Sequence, residues 1–493
     1  MSDLAADAKG RGFVRELGLL DAVMIVTGSM IGSGIFIVSA NVARQVGAAG
    51  WLVLAWAVSG LLVTAAALSY GELAAMMPRV GGQYVYLKEA YSPLLGFLFG
   101  WTLFLVIQSG TIAAVAVAFA SFLGVLVPGV SSTAWIVPPI DLTDGYAVSL
   151  SVQQLVAILL IVLLSVVNTY GVRVGKLIQN SFTWAKMLAL AALIVLGVVL
   201  GQNAEGFSDP WTPQNVVPAA EGGLPFWIVF CLALTGPLFS ASAWNDVTFA
   251  AAEIKNPRRN LPIALGAGVG LVSLLYVLAN VAYVRALPIE AIQNAPENRV
   301  GTAALEAILG PAGAGLMAVA IMISTFGCNN GLILAGARVY YAMAKDGLFF
   351  RSTGGLNRFR VPAVGLAVQC VWASLLVIPR TRLTGGDGTP SYGNVYSNLL
   401  EYVVFAVLLF YVLTILGVFV LRRKRPDAER PYRAFGYPFV PLFYIAGALL
   451  VVTCLLVYRT ETTWPGLAIV LTGIPVYLLW RRGGSGADVS EDV

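Results

Sequence analysis

The chain has 493 residues, of which 58% are hydrophobic and 11% charged, and its mean hydropathy is +0.82. This composition excludes a soluble domain and predicts a polytopic membrane protein. The net charge of +5 does not indicate a nucleic acid partner, because the basic residues cluster beside apolar segments and form no soluble basic face.

Twelve apolar segments of about 20 residues, which we call spans 1 to 12, are long enough to cross a bilayer. They begin near positions 18, 51, 94, 151, 180, 224, 261, 313, 362, 396, 436 and 463. No signal-peptide cleavage site follows the first of them. An even number of spans places both termini on the same side of the membrane.

The distribution of Lys and Arg predicts which side that is. Of the 30 such residues, 22 lie at the termini or in loops on the same side as the termini, and two, Lys186 and Arg338, lie within spans. The opposite loops contain only six: Arg44, Arg285, Arg299, Arg380, Arg382 and Arg459. By the positive-inside rule, both termini are predicted to be cytoplasmic, in a multi-pass protein of the inner membrane.

Span 1 contains an unusual stretch from Thr27 to Phe36 with three glycines and three hydroxyl side chains. Such a composition disfavours an uninterrupted helix. We therefore predict a break at Gly32, Ser33 and Gly34. Close helix packing through small residues is the alternative for this stretch taken alone.

Span 5 contains Lys186, ten residues beyond Lys176. At 1.5 Å per residue this places it about 15 Å into a hydrocarbon core of about 30 Å. A charged side chain at that depth indicates function. Two roles are open here, a tether that holds other spans, or a lysine that titrates during the reaction and couples it to protons.

Span 6 has a second unusual stretch, from Gly236 to Ala243, in which Pro237 stands among small residues. Proline removes a backbone donor and clashes with the preceding turn, so the helix should kink or open there. Interrupted spans at positions 1 and 6 predict an inverted repeat of five plus five spans. Both breaks should face one central site, because unwound backbone at membrane depth must line a cavity or lie in protein.

The predicted fold is therefore an all-α membrane protein with 12 transmembrane helices, in which helices 1 and 6 unwind at the midplane. We divide it into a cytoplasmic N-terminus (1–16), repeat 1 (17–200), repeat 2 (222–422), two peripheral helices (434–482) and a cytoplasmic tail (483–493). The outer loops near 128–150 and 201–221 contain no Lys or Arg. We interpret them as connectors.

The two breaks offer partial charges of both signs, because half-helices end in free carbonyls and begin with free N–H groups. An amino acid carries an adjacent cation and anion that match this pattern. We predict a carboxylate site at the amides of Gly32, Ser33 and Gly34. The ammonium would bind carbonyls at Met30, Phe239, Ser240 and Ser242.

Several motifs in order resemble the amino acid-polyamine-organocation superfamily, and specifically its L-type amino acid transporter branch. They are Gly32-Ser33-Gly34-Ile35-Phe36, Tyr70-Gly71-Glu72-Leu73, Gly81-Gly82-Gln83-Tyr84, Lys186 in Ala185-Lys186-Met187-Leu188, Trp244-Asn245 with Glu253, Asn256-Pro257-Arg258-Arg259-Asn260-Leu261-Pro262, and Ser324-Thr325-Phe326-Gly327 with Asn330 and Arg338. The resemblance covers nearly the whole chain. It implies a LeuT-type fold that works by alternating access.

The resemblance also implies an aromatic gate, which here matches Phe239. It places the pocket for the substrate side chain at Gln108, Ser242, Asn329, Val403 and Val407. Members with larger substrates have a polar residue in span 10 where this chain has Val407, so we expect a small pocket of mixed polarity. In sodium-coupled members a cation lies between spans 1 and 8, and Lys186 is expected to occupy that place.

Acids and cysteines complete these expectations. Glu72 and Glu253 are predicted to organise a cytoplasmic gate with basic loop residues, or else to be solvated helix ends. We place no acid near the side-chain pocket, which favours neutral L-amino acids. The loop between spans 3 and 4 has no cysteine, although animal relatives use one there to bind a glycoprotein subunit. We therefore expect no disulfide-linked heavy chain and a protein that acts as a monomer.

The predicted function is secondary active transport of neutral L-amino acids through the membrane, as a sodium-independent exchanger. A proton-coupled symporter and a transporter of cationic amino acids or polyamines are the alternatives, followed by a channel or receptor. The chain lacks H-E-x-x-H, G-x-S-x-G and metal-ligand clusters. We expect no enzyme activity, no cofactor and no metal, with amino acids and the lipid bilayer as partners.

Overall fold

A computed structural model describes residues 13–143, 145–214, 223–384, 390–394 and 396–484. The parts of the predicted N-terminus and C-terminal tail before residue 13 and after residue 484 lie outside the described residues. The structure is mostly helical. Each of the twelve predicted spans contains at least one helix.

The first half of the chain forms eight α-helices within the described residues. They are α1 (Leu19–Met30), α2 (Gly34–Val46), α3 (Ala49–Met76), α4 (Gln83–Ala90), α5 (Pro93–Thr102), α6 (Gln108–Leu126), α7 (Val152–Asn168) and α8 (Val172–Leu200). A π-helical segment, Leu103–Ile107, joins α5 to α6, so that Pro93–Leu126 is one long apolar element.

The second half begins with three short helices at the second break. Its helices are α9 (Phe226–Ala233), α10 (Thr235–Ser240), α11 (Asp246–Phe249), α12 (Pro257–Ala286), α13 (Ile289–Gln293), α14 (Val300–Leu309), α15 (Pro311–Lys345), α16 (Ala363–Leu376), α17 (Tyr396–Lys424), α18 (Phe439–Tyr458) and α19 (Thr460–Gly484). Short 3₁₀ turns occur at Ala204–Phe207, Ala251–Glu253, Pro296–Asn298 and Arg351–Gly354.

Eight helices in the described part of the chain are long and apolar enough to cross a membrane, and the bent pair α1 and α2 makes a ninth. Shorter apolar helices stand where spans 4, 6 and 9 are predicted: Val152–Asn168, Phe226–Ser240 and Ala363–Leu376. The protein is thus a multi-pass membrane protein, and the count of twelve spans stays a prediction.

A four-stranded antiparallel sheet corrects the all-α expectation. Its strands are β1 (Trp135–Asp141), β2 (Tyr146–Ser151), β3 (Pro379–Thr384) and β4 (Pro390–Asn394), in that order. Tyr146 pairs with Thr381 across the β2–β3 junction. The segment near 128–150 is therefore more than a connector, because it joins the start of α7 to the end of α16 through backbone hydrogen bonds.

Helices of the two halves pack against each other in pairs. The contacts join α3 to α12, α6 to α15, α2 to α10 and α7 to α16. At the first pair, a side chain on Gly60 would lie 3.0 Å from the Cβ of Ser273, so that glycine lets the two backbones approach closely. Helix α1 packs against α8, α12 and α15.

Candidate functional site at two helix breaks

The first break lies where the sequence predicts it. Helix α1 ends at Met30 and α2 begins at Gly34, and the two axes differ by 41°. Ile31 adopts an extended conformation, with φ −78° and ψ 91°. The chain therefore leaves the helix for three residues, and the first turn of α2 presents N–H groups without acceptors in their own helix.

The second break lies a few residues later than the proline suggests. Pro237 stands in the first turn of α10, where a missing N–H costs no hydrogen bond within the helix. The boundary between α9 and α10, at Leu234, lies just before this turn. The open segment is 241–245, where Ala243 has a φ of +64°, a conformation that side chains other than glycine rarely adopt.

The two breaks touch each other. A Cβ on Gly34 would lie 2.3 Å from the Oγ of Ser240 and 2.7 Å from its Cβ. From α12, the hydroxyl of Tyr276 donates to the carbonyl of Met30 at 2.8 Å and is 3.1 Å from the carbonyl of Ser240. The last carbonyl groups of α1 and α10 thus share the hydroxyl of Tyr276 as a hydrogen-bond donor.

Lys186 fills the other side of the first break. It is 1% exposed, and its Nζ donates to the carbonyl oxygens of Gly28 and Ile31, the latter at 2.8 Å. The carbonyl of Ser324 is 3.4 Å from Nζ, and the Oγ of Ser324 is 3.1 Å from the carbonyl of Ile31. The lysine from α8 therefore ties α1 to α15 through main-chain acceptors.

Main-chain groups of the predicted zwitterion site lie together, and several make hydrogen bonds in this conformation. The amide of Gly32 donates to the carbonyl of Met30 at 2.9 Å, and the amide of Ser242 donates to that of Phe239 at 2.9 Å. Ser33 is 1% exposed. A ligand at these groups would replace existing contacts, including the bond from Tyr276 to Met30.

A narrow cavity of about 20 Å³ lies next to the second break. Four of the five predicted pocket residues line it: Gln108, Ser242, Val403 and Val407. The other lining residues are Gln83, Phe99, Leu103, Ile107, Thr111, Ala243, Asn245, Asp246, Phe249, Leu332, Phe410 and Tyr411. This volume is enough for about one water molecule. A substrate side chain would therefore enter only after the walls of the cavity move apart.

Asn329 and Phe239 do not line this cavity. Asn329 is fully buried, and neither polar atom of its side chain has a hydrogen-bond partner within the described residues. It lies one helical turn before Leu332, which does line the cavity. Phe239 is buried in α10, and its role as a gate stays a prediction.

The cavity contains an acid that was not predicted from the sequence. Asp246 is 2% exposed and begins α11, and the Nε2 of Gln108 donates to its Oδ2 at 3.1 Å. The expectation that no acid lies near the pocket is therefore wrong. The available signal was Asp246 itself, the residue after the Trp244-Asn245 motif, because an acidic residue inside an apolar span is rare.

A chain of amides beside the cavity was also missed. The Nδ2 of Asn245 donates to the Oε1 of Gln83 at 2.9 Å, and the hydroxyl of Tyr411 donates to the Oδ1 of Asn245 at 2.6 Å. The Nε2 of Gln83 in turn donates to the hydroxyl of Thr414 at 2.9 Å. These bonds tie the open segment of the second break to α4 and α17.

Both acids predicted at a gate have arginine partners. Glu72 accepts hydrogen bonds from Arg422, the shorter at 2.6 Å, and is 3.3 Å from the Nε of Arg430. Glu253 and Arg338 form a two-point pair at 2.6 and 3.0 Å in which both side chains are at most 1% exposed. Neither acid is a solvated helix end, and both pairs join separate elements.

Comparison with known proteins places these features in a family. Residues 17–479 match the family model described as amino acid permease. The chain is 29% identical to the b(0,+)-type amino acid transporter 1 of Mus musculus over 482 residues, which is 97% of this chain and 90% of the relative.

Two further relatives match over similar lengths. The Serine/threonine exchanger SteT of Bacillus subtilis is 29% identical over 469 residues, covering 94% of this chain and 97% of the relative. The Large neutral amino acids transporter small subunit 2 of Oryctolagus cuniculus is 32% identical over 474 residues, covering 95% and 81%. These relatives are named for different amino acids.

Proposed function

Since the chain belongs to the amino acid permease family and therefore transports amino acids, we propose that it exchanges neutral L-amino acids across the cytoplasmic membrane. The exchange would proceed by alternating access and would not depend on sodium. The observation that carries this proposal is the contact between the two breaks, where Gly34 meets Ser240 and Tyr276 bonds both ends. Relatives named as an exchanger and as amino acid transporters support it.

The fold we propose is the twelve-span LeuT-type arrangement of two inverted repeats, with both termini cytoplasmic. The packing of α3 on α12, α6 on α15 and α7 on α16 supports it, because each pair joins equivalent positions of the two halves. Spans 4, 6 and 9 would cross as the shorter helices. Cysteine residues introduced into loops and labelled from one side of intact vesicles would test this topology.

The zwitterion would bind at the ends of the half-helices. Its carboxylate would accept hydrogen bonds from the amides of Gly32, Ser33 and Gly34, at the start of α2. Its ammonium would donate to carbonyls among Met30, Phe239, Ser240 and Ser242. Because Met30 accepts from both Gly32 and Tyr276 in this conformation, binding would loosen the contact between the breaks, as alternating access requires.

The position of Lys186 supports the proposed sodium independence. Its Nζ already satisfies carbonyls of Gly28 and Ile31 and lies 3.4 Å from that of Ser324. These are the oxygen ligands that a sodium ion would need, and a fixed ammonium supplies the same positive charge. We propose that this ammonium holds the break in every step of the cycle, without an exchangeable ion.

The ion pairs would serve as cytoplasmic closures. Glu72 contacts Arg422, and Glu253 contacts Arg338, in loops and helix ends that we predict on the cytoplasmic side. Phe239 would close the site from α10. We propose that the protein works as a monomer without a disulfide-linked partner, because none of its four cysteines lies in the loop between spans 3 and 4.

Counterflow in proteoliposomes tests the function. Vesicles loaded with an unlabelled amino acid should accumulate the same amino acid in labelled form, and replacing sodium by choline should leave the initial rate unchanged. Accumulation without internal substrate under an inward proton gradient would instead establish the proton-coupled alternative. Flux that is linear in concentration and shows no counterflow would establish a channel.

A further inference from the structure

The cavity next to the second break contains an acidic side chain for which the described part of the fold supplies no cation. Asp246 is 2% exposed, and the Nε2 of Gln108 is the only side-chain donor to it within the described residues. The same Nε2 also donates to the carbonyl of Leu332 at 2.7 Å. No Lys or Arg is among the described residues that line the cavity, so the carboxylate has no cationic partner.

The titratable groups around Asp246 do not supply a positive charge. Electrostatic interactions join it to the phenols of Tyr70, Tyr340 and Tyr411 and to the thiol of Cys328. The hydroxyl of Tyr411 donates to Asn245. A buried carboxylate in such surroundings either keeps a proton or meets a cation that enters with the ligand.

The rest of the wall suits an alkyl chain that ends in a cation. Aromatic rings of Phe99, Phe249 and Phe410 line the cavity together with the aliphatic side chains of Val403 and Val407. Methylene groups pack favourably on such a surface, and aromatic faces attract a nearby cation. The Oδ1 of Asp246 accepts no hydrogen bond within the described residues, which leaves one carboxylate oxygen for a ligand.

We propose that Asp246 is the specificity-determining residue for a second positive charge, so that the cavity also accepts amino acids with a side-chain ammonium or guanidinium. The inference rests on the proposed function, because it takes this cavity as the place of the substrate side chain. A neutral substrate leaves the proton on Asp246. A cationic substrate releases that proton to solution and pairs with the carboxylate, so the occupied cavity has the same net charge in both cases.

Competition measures this selectivity directly. Lysine and norleucine, whose side chain lacks the terminal ammonium, would each compete with labelled leucine in counterflow. In the unaltered protein lysine should inhibit at least as strongly as norleucine. In Asp246→Asn the ratio of the inhibition constant of lysine to that of norleucine should rise at least about tenfold, because a charge-assisted bond is lost. Asp246→Glu should restore part of the preference.

Asp141→Asn is the matched control. Asp141 lies in β1, pairs with Arg382 at 3.3 Å and is 38% exposed, so its removal should leave the lysine to norleucine ratio unchanged. If Asp246→Asn does not transport, ligand-induced thermal shifts of the purified variant and the unaltered protein give the same ratio. In the unaltered protein, the competition of lysine and norleucine with labelled leucine tests the inference without any variant.

The outcomes separate this inference from the proposed function. Leucine counterflow in which lysine competes more than about tenfold more weakly than norleucine would overturn the inference and leave the exchanger intact. An unchanged ratio in Asp246→Asn would do the same. The absence of counterflow for every amino acid would overturn the proposed function, and with it the inference.

Discussion

Lys186 and Asp246 are both buried ionisable side chains near the helix breaks, and they differ in what surrounds them. The ammonium of Lys186 has main-chain acceptors at Gly28 and Ile31, whereas the carboxylate of Asp246 has one amide donor, from Gln108. Asp246 lines the cavity, and Lys186 does not. A charge that the fold satisfies holds the structure, and a charge that it leaves unsatisfied is available to a ligand.

The largest expected effect is that of Lys186→Met, which keeps the length of the side chain and removes the charge. Carbonyls of Gly28 and Ile31 would lose their donor, and each unsatisfied buried acceptor costs about 1–3 kcal/mol. We expect counterflow to fall at least about 100-fold. The fall should be equal for leucine and lysine, because the bonds of Lys186 go to the backbone.

Two further measurements test whether the loss comes from the missing ammonium and not from misfolding. Size-exclusion profiles and thermal stability in detergent establish that the variant is folded. In Lys186→Ala, a small primary amine such as methylammonium should restore part of the flux by occupying the vacated cation position. A loss confined to one substrate class would contradict the structural role of Lys186, because the side chain would then act on the ligand.

Gly34→Ala should have the next largest effect, again the same for all substrates. The added Cβ would lie 2.3 Å from the Oγ of Ser240, and overpacking of this kind costs about 1–3 kcal/mol. Counterflow should fall roughly 10- to 100-fold, because the two breaks can no longer touch. The ratio between lysine and norleucine should stay the same.

A compensating substitution tests the cause. In Gly34→Ala combined with Ser240→Gly, both close side-chain atoms are gone and the nearest contact of Ser240 is its Cα at 3.0 Å. Flux should return to within about tenfold of that of Ser240→Gly alone. If Gly34→Ala transports normally, the contact between the breaks is not needed in the cycle.

Lys186 and Asp246 also differ in how well the sequence predicts their places. Lys186 and the first break were predictable, because charge at membrane depth and clustered glycines are local signals. The proline at position 237 marked the second break only approximately, since it sits in a first turn where proline is tolerated. Asp246 was missed because its place in a cavity depends on how α11 packs beside Gln108, far away in the chain.

Other features were beyond local patterns for the same reason. The sheet pairs β2 with β3 across more than 200 residues, between Ala147 and Arg380, and nothing near either strand encodes that register. Arg380 is buried against Ser149 and Ser151, and burial lowers the pKa of its guanidinium to about 10. It therefore remains positively charged at neutral pH and holds the sheet on the start of α7.

Tyr276→Phe should have the smallest effect on flux among these variants. The variant removes the hydroxyl that bonds Met30 at 2.8 Å and Ser240 at 3.1 Å, while the ring can keep its edge contact with Trp56. Met30 still accepts from Gly32, so the loss should be about 1 kcal/mol, or roughly fivefold in flux. Because Tyr276 bridges main-chain groups, leucine and lysine should be affected equally. A change in the lysine to norleucine ratio would mean that the breaks, as well as Asp246, select the side chain, and specificity would then be shared between the two regions.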